Sequence, residues 1–338
     1  VGQTSDPESG SQWGHWRIGL EDAWRATTGS QSVVVAVIDS GMNHAHADLS
    51  CNFWGNSCQA FDSTNDACQG LLDDGRVGDV NGWNFVDEDD QLRDAAGHGT
   101  MVAGIIGACQ NDQGIVGTNW DVSLMDLRAY DTIGASGSID YVISALKYAI
   151  SNGAHVVNLS LLTGNSGELY RLIQSAPDVI VTTVAGDDLS GTGQQLGASR
   201  AAHPCSWTPN LPNLICVTSS TQSGGDEKAQ SANYGDVVQI AAPGVDIAST
   251  LGTATGTKSG TSLAAPYVAG VVALLKSRAP LATTKQIVDC ALSGDDVPAL
   301  AGMTAPGPTP NTGRRLSAAK AMECISPYAQ SGSAPGPG

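Results

Sequence analysis

Val33-Val34-Val35-Ala36-Val37-Ile38-Asp39-Ser40-Gly41 is the stretch that decides the fold. Six apolar residues in a row, most of them β-branched, read as a strand buried on both faces. That is the signature of a parallel sheet covered by helices on each side, since a half-exposed strand would alternate. The run stops at an acid, a hydroxyl and a glycine, and in such sheets ligands sit beyond the carboxyl ends of the strands. Working outward, similar runs occur at Val156-Val157-Asn158-Leu159, Val179-Ile180-Val181, Leu214-Ile215-Cys216-Val217 and Val237-Val238-Gln239-Ile240. Helical periodicity lies between them, as at Ile139–Asn152, where Gly153 fits a C-terminal cap. Strands alternating with helices predict an α/β fold of three layers.

The chain has 338 residues, with 41% apolar and 14% charged, enough to bury a large core. One domain over residues 1–325 is expected, with a flexible Gly/Ser/Pro-rich tail over 326–338. Residues 50–96 read as an acidic, Cys-containing surface insertion. From Asp62 to Asp94 it holds ten acidic residues and two arginines, a local net of −8. The plain reading of that stretch is a solvated loop. A Pro-rich loop covers 303–313. The overall charge of −17 argues against a nucleic-acid partner or an anionic membrane surface, and no apolar run is long enough to span a membrane. The first residues lack a signal peptide, so one has been removed or the chain begins after it. Eight cysteines without a CxxC pair disfavour zinc and suggest disulfides and secretion; buried thiols in a cytosolic protein are the alternative. Cys205 and Cys216 form a plausible local bridge, Cys290 and Cys324 could pack together, and Cys51, Cys58, Cys68 and Cys109 remain for the insertion.

Three segments carry chemistry. Asp39 ends the first strand. Gly97-His98-Gly99-Thr100 precedes a small apolar run, so His98 opens a tightly packed helix. Ser259-Gly260-Thr261-Ser262 leads into another, with Ser262 at its start. A serine hydroxyl is a weak nucleophile until a histidine takes its proton, and that histidine needs a carboxylate to fix its tautomer. Each residue alone is more often a cap, a turn or a core group. The order Asp, His, Ser, each in a glycine-rich junction, is far more specific.

These motifs, Asp-Ser-Gly, His-Gly-Thr and Gly-Thr-Ser-x-Ala-x-Pro, resemble those of the subtilases, the subtilisin-like serine proteases. Gln12-Trp13, Ser231-Ala232-Asn233-Tyr234-Gly235 and Ala242-Pro243-Gly244 extend the resemblance over about residues 12–325. It implies a subtilisin-like fold with a central, mostly parallel sheet flanked by helices. It also implies a secreted serine endopeptidase: Ser262 as nucleophile, His98 as general base and then acid, and Asp39 as orienting carboxylate. Polypeptides would be the substrates, a propeptide or protein inhibitor a partner, and the protein a monomer. The other function class is a silenced subtilase acting in binding or regulation, and a structural or adhesive protein is a third.

The sequence departs from the family at three places near the site, one of them Leu263, which stands where a methionine commonly follows the nucleophile. Where the family has an oxyanion-hole asparagine, Val184-Ala185-Gly186-Asp187-Asp188 places Asp187. Losing such a donor costs roughly 10²–10³ in turnover. A proprotein convertase resembles this chain in having aspartate there, and it is active. The expectation is that Asp187 works protonated, in a dry pocket beside Asp188. The family's substrate strand, ending Ser-x-Gly-Gly, here reads Ser160-Leu161-Leu162-Thr163-Gly164. Leu162 is expected to restrict the P1 pocket, with Gly186 in the oxyanion turn and Asp188 near the mouth favouring basic or polar side chains. The resemblance also implies a structural calcium ion held by Asp48, by the Asn111 side chain and by the carbonyls of Cys109, Gln113 and Ile115. Asp73–Asp79 loosely resembles a second calcium loop.

Overall fold

The computed structural model describes residues 4–56, 76, 78–131, 138–197, 199–305 and 313–329. Cys58, Cys68, most of the Asp73–Asp79 loop, most of the Pro-rich loop and the tail from 330 lie outside them. Short helices α1 (Trp13–Arg17) and α2 (Leu20–Trp24) precede β1 (Gly29–Asp39), β2 (Gly82–Asn84), α3 (His98–Gly107), β3 (Asp121–Arg128), α4 (Ile139–Ser151), β4 (Val156–Leu159), α5 (Gly167–Ser175) and β5 (Ile180–Val184). Then come β6 (Leu214–Ser220), β7 (Ile240–Pro243), the hairpin β8 (Ile247–Leu251) and β9 (Ala254–Lys258), α6 (Thr261–Arg278), α7 (Thr284–Ala291), β10 (Asp295–Val297), β11 (Gly313–Arg315) and α8 (Ala318–Ile325).

Among the described residues nine strands form one sheet in the order β10-β11-β7-β6-β5-β4-β1-β3-β2. Every pairing in it is parallel except β10 with β11. The opening run behaves as a doubly covered strand should. Val33, Val35 and Val37 point into the core shared with α3 and α6, while Ala36 and Ile38 point into the one shared with α4 and α5. Helices α3 and α6 are apolar all round because both are central. All of α3 is buried, and α6 is buried from Leu263 to Leu275. The sequence expectation of a mostly parallel α/β sheet flanked by helices stands.

Three local expectations differ. The predicted strand at 237–240 begins only at Ile240, because Val238 N–H bonds the Gly235 carbonyl in a turn and Gln239 spends its side chain on Cys216 N–H. The two ends of the 50–96 insertion are integral to the body. Phe53 bridges to Leu124, β2 pairs with β3, and Trp54, Trp83 and Phe85 are buried beside α4. Ser326–Tyr328, placed with the tail, continue from α8 as a 3₁₀ turn. The disulfides Cys51–Cys109, Cys205–Cys216 and Cys290–Cys324 are formed.

Candidate active site

Asp39 is the last residue of β1, His98 the first of α3 and Ser262 the second of α6. β1 delivers Asp39 at the carboxyl end of the sheet. The α3 N-terminus reaches it because Gly99 has no side chain: a Cβ there would lie 2.1 Å from the Gly41 carbonyl. Asp94 supplies the cap that Gly97 lacks, accepting from the Gly97, Ala96 and Thr100 amides at 2.8, 3.1 and 2.8 Å. It also accepts from Ser40 Oγ at 2.8 Å. His98 Nδ1 lies 2.7 Å from Asp39 Oδ1, and both residues are buried. The Asp39 oxygen bears no proton to give, so Nδ1–H donates and Nε2 keeps its lone pair. Burial by itself would lower the His98 pKa. The charge and hydrogen bond of Asp39, with Asp94 behind, outweigh it and leave the pKa raised above 6.5.

Ser262 is held by a substitution within its own helix. Pro266, four residues on, has no N–H to donate to the Ser262 carbonyl. Ser160 Oγ donates to that carbonyl instead, at 2.7 Å, and itself accepts from Asn158 Nδ2 at 2.8 Å. The segment leaving β4 is therefore tied to the N-terminal turn of α6. Among the described residues no hydrogen bond joins Ser262 to His98. Such contacts are often long without substrate and tighten in the complex.

Asp187 follows β5 and lies beside Ser262, but its environment differs from the expectation. Its Oδ2 accepts from Thr261 N at 2.8 Å and Thr261 Oγ1 at 2.7 Å, and its Oδ1 from Ser231 Oγ at 3.1 Å. The residue is exposed, so the dry pocket is absent. In this pose Asp187 is an acceptor capping the first amide of α6, a place that favours negative charge. Asp188 folds onto its own loop, where Ser190 and Gln194 donate to it and hold its pKa down at about 2. Leu162 lies across the oxyanion turn. A Cβ on Gly186, whose φ is +86°, would meet Leu162 Cδ1 at 2.6 Å, yet the leucine remains 46% exposed. Leu161 packs against the α4–α5 core instead.

Away from this cluster, the loop from Cys109 to Ile115 is gripped by two buried carboxylates. Asp48 Oδ2 accepts from Ile115 N at 3.0 Å, and its Oδ1 is 3.4 Å from Asn111 Nδ2. Asp6 accepts from the amides of Asn111 at 3.0 Å and Gln113 at 3.2 Å. Among the described residues no hydrogen bond reaches the carbonyls of Cys109, Gln113 or Ile115, and no group of three His, Cys, Asp or Glu side chains could hold a metal. Two carboxylates, an amide and free carbonyls are all hard oxygen donors, which fits calcium and disfavours softer metals.

Several residues at these sites were not read from the sequence. Asp94 stands four before His98 and had a legible signal in Asp-x-x-Gly-His. Thr261 adjoins Ser262. Asp6 and Tyr130 carried none, and the fold alone brings the Tyr130 hydroxyl to 2.7 Å from Asp39 Oδ1.

Comparison with known proteins identifies the family. Residues 30–314 match the subtilase family. The chain is 34% identical over 276 residues to thermitase of Thermoactinomyces vulgaris, covering 80% of this chain and 84% of that protein. It is 34% identical over 303 residues to an extracellular protease of Xanthomonas campestris, covering 81% of this chain and 49% of that one. As with several curated relatives, it spans less than two thirds of the latter's length. Fervidolysin from Fervidobacterium pennivorans, described as a keratinolytic enzyme related to subtilisin, has the same fold, with a TM-score of 0.73 at 23% identity over 94% of this chain and 46% of its own. The chain belongs to the subtilase family of subtilisin-like serine proteases.

Proposed function

We propose that this protein is a secreted serine endopeptidase that cleaves polypeptides through an acyl-enzyme on Ser262. The observation that carries the reading is the buried Asp39–His98 pair at 2.7 Å, whose protonated Nδ1 leaves Nε2 with the lone pair a general base needs. Ser262 Oγ would attack the scissile carbonyl as His98 takes its proton. His98⁺, stabilised by Asp39, then gives that proton to the leaving amine, and water repeats the cycle. The developing oxyanion would be met by the Ser262 amide. Asp187 in its acceptor pose gives no second donor, so turnover is expected to be reduced rather than abolished. Leu162 over Gly186 supports a P1 pocket that accepts small or narrow side chains. Residues 1–325 act as one peptidase domain, and the name of the Xanthomonas relative supports secretion.

Asp48, Asn111 and the carbonyls of Cys109, Gln113 and Ile115, joined by Asp6, would hold a structural calcium ion. That ion would neutralise the two buried carboxylates and fix the loop without entering the reaction. The test is peptide hydrolysis from pH 5 to 10 by this protein, by Ser262→Ala and by Asp187→Asn, together with labelling by a serine-directed phosphonate. Turnover and labelling lost only in Ser262→Ala support the endopeptidase. Turnover and labelling that arise only in Asp187→Asn would instead mark a silenced subtilase that retains the triad.

A further inference from the structure

We propose that Tyr130 is a positioning residue of the triad, its hydroxyl clamping Asp39 and thereby setting how strongly His98 holds a proton. The proposal rests on the endopeptidase reading above. It comes from register. Asp39 pairs with Arg128 across the β1–β3 ladder, Ala129 N–H then bonds the Asp39 carbonyl at 2.8 Å, and the chain leaves the sheet at Tyr130 with its ring turned back over the pair. The hydroxyl lies 2.7 Å from Asp39 Oδ1 and 3.1 Å from His98 Nδ1, and the tyrosine is only 9% exposed. A phenol has one proton. Nδ1–H already points at Oδ1, so the phenol proton goes to Oδ1 as well, and the phenol oxygen can share the Nδ1 proton. The three polar atoms close a ring that disfavours the other imidazole tautomer.

The donors on Asp39 are unevenly placed. Oδ1 receives Ser40 N–H at 2.8 Å, His98 and Tyr130, while the buried Oδ2 has no partner. Each donor on Oδ1 withdraws charge from the atom that stabilises the imidazolium. Tyr130 remains a donor throughout the working range, since burial, and then the Asp39 charge, push its pKa well above 10. The other charged groups acting on the pair are Asp94, reached through Ser40 Oγ, and Lys258 at the end of β9. Substitution at Tyr130 changes the charge of neither. Removing the hydroxyl takes away a neutral acceptor 3.1 Å from Nδ1 but returns charge to Oδ1, the nearer acceptor at 2.7 Å, which strengthens the hold on the imidazolium and moves the His98 titration upward.

The experiment is an NMR titration of the His98 ring in Ser262→Ala protein with and without Tyr130→Phe, alongside pH–rate profiles of the active protein and Tyr130→Phe. The expected result is a His98 titration, and an acid limb of kcat/KM, raised on the order of half a pH unit, with a few-fold loss of kcat at low pH and KM unchanged. Superimposable titrations overturn the proposal even if turnover or stability falls, because a merely structural tyrosine lowers those without moving His98. Tyr130→Met, which also lacks the hydroxyl, serves if the phenylalanine variant does not fold. If the unaltered protein shows no Ser262-dependent turnover, the endopeptidase reading fails, and the titration still decides whether Tyr130 governs the pair.

Discussion

Replacing Ser160 by alanine tests whether the helix that carries Ser262 is braced from outside. Ser160 Oγ is the donor that the Ser262 carbonyl lacks because Pro266 carries no N–H, and the same oxygen accepts from Asn158, which is fully buried. Ser160→Ala strands both a carbonyl and an amide N–H. An orphaned polar group costs about 1–3 kcal/mol, toward the low end where water can reach it. Ser262 is half-buried, so the sum is about 2–4 kcal/mol of unfolding free energy. Pro266→Ala supplies an N–H four residues after Ser262. In that background Ser160→Ala strands only Asn158 and should cost about 1–2 kcal/mol less. Urea unfolding of the two single variants and the double variant, all in Ser262→Ala protein to prevent self-digestion, measures this coupling. Costs that add to within about 0.5 kcal/mol would refute the bracing role, since independent sites behave that way.

Asp187→Asn should raise kcat at least about tenfold with KM little changed, because an amide can keep the Thr261 contacts with its oxygen and offer a donor to the oxyanion; steady-state kinetics showing no gain would remove Asp187 from the oxyanion's neighbourhood. Chelation should lower the melting temperature of the parent protein and leave Asp48→Asn nearly unmoved, since a calcium ion at a hundred times its Kd contributes about 2.7 kcal/mol; equal shifts in both would place any calcium elsewhere. His15 is buried against Trp24 and Tyr267, and burial lowers its pKa from 6.5 to about 4. Below pH 6.5 the unfolded chain binds a proton that the folded chain refuses, so stability falls between pH 6.5 and 4 by roughly 3 kcal/mol. Melts across that window should flatten in His15→Phe. His98, with its pKa raised by Asp39, should set the acid limb of activity above pH 6.5, and a limb below that value would contradict the coupling.

Much of the fold was legible because its signals are local. A buried strand has to be apolar on every residue, and a central helix apolar on every face, so Val33–Ile38, His98–Gly107 and Leu263–Leu275 announce themselves. The proposed triad stood out because each member sits in a junction whose glycines admit a close backbone. The failures were of another kind. Val237 and Val238 have the composition of a strand, but a turn bond to Gly235 and the Gln239 side chain claim the backbone first. The acidic stretch looked like an insertion because charge dominates its average. Trp54, Trp83 and Phe85 still anchor both its ends in the core.

The sequence by itself determined the α/β class and the family and pointed to the three residues of the proposed triad, because strand burial, helix burial and glycine junctions are written in neighbouring residues. Tertiary structure decided what surrounds them. It made Asp187 a cap of α6, turned Asp188 onto its own loop, set Asp6 opposite Asp48 and brought Tyr130 onto Asp39. All but the Asp188 turn depend on where a hydroxyl or amide donor from another segment comes to rest. Residues up to 107 apart in sequence meet there, and no local pattern encodes such a meeting.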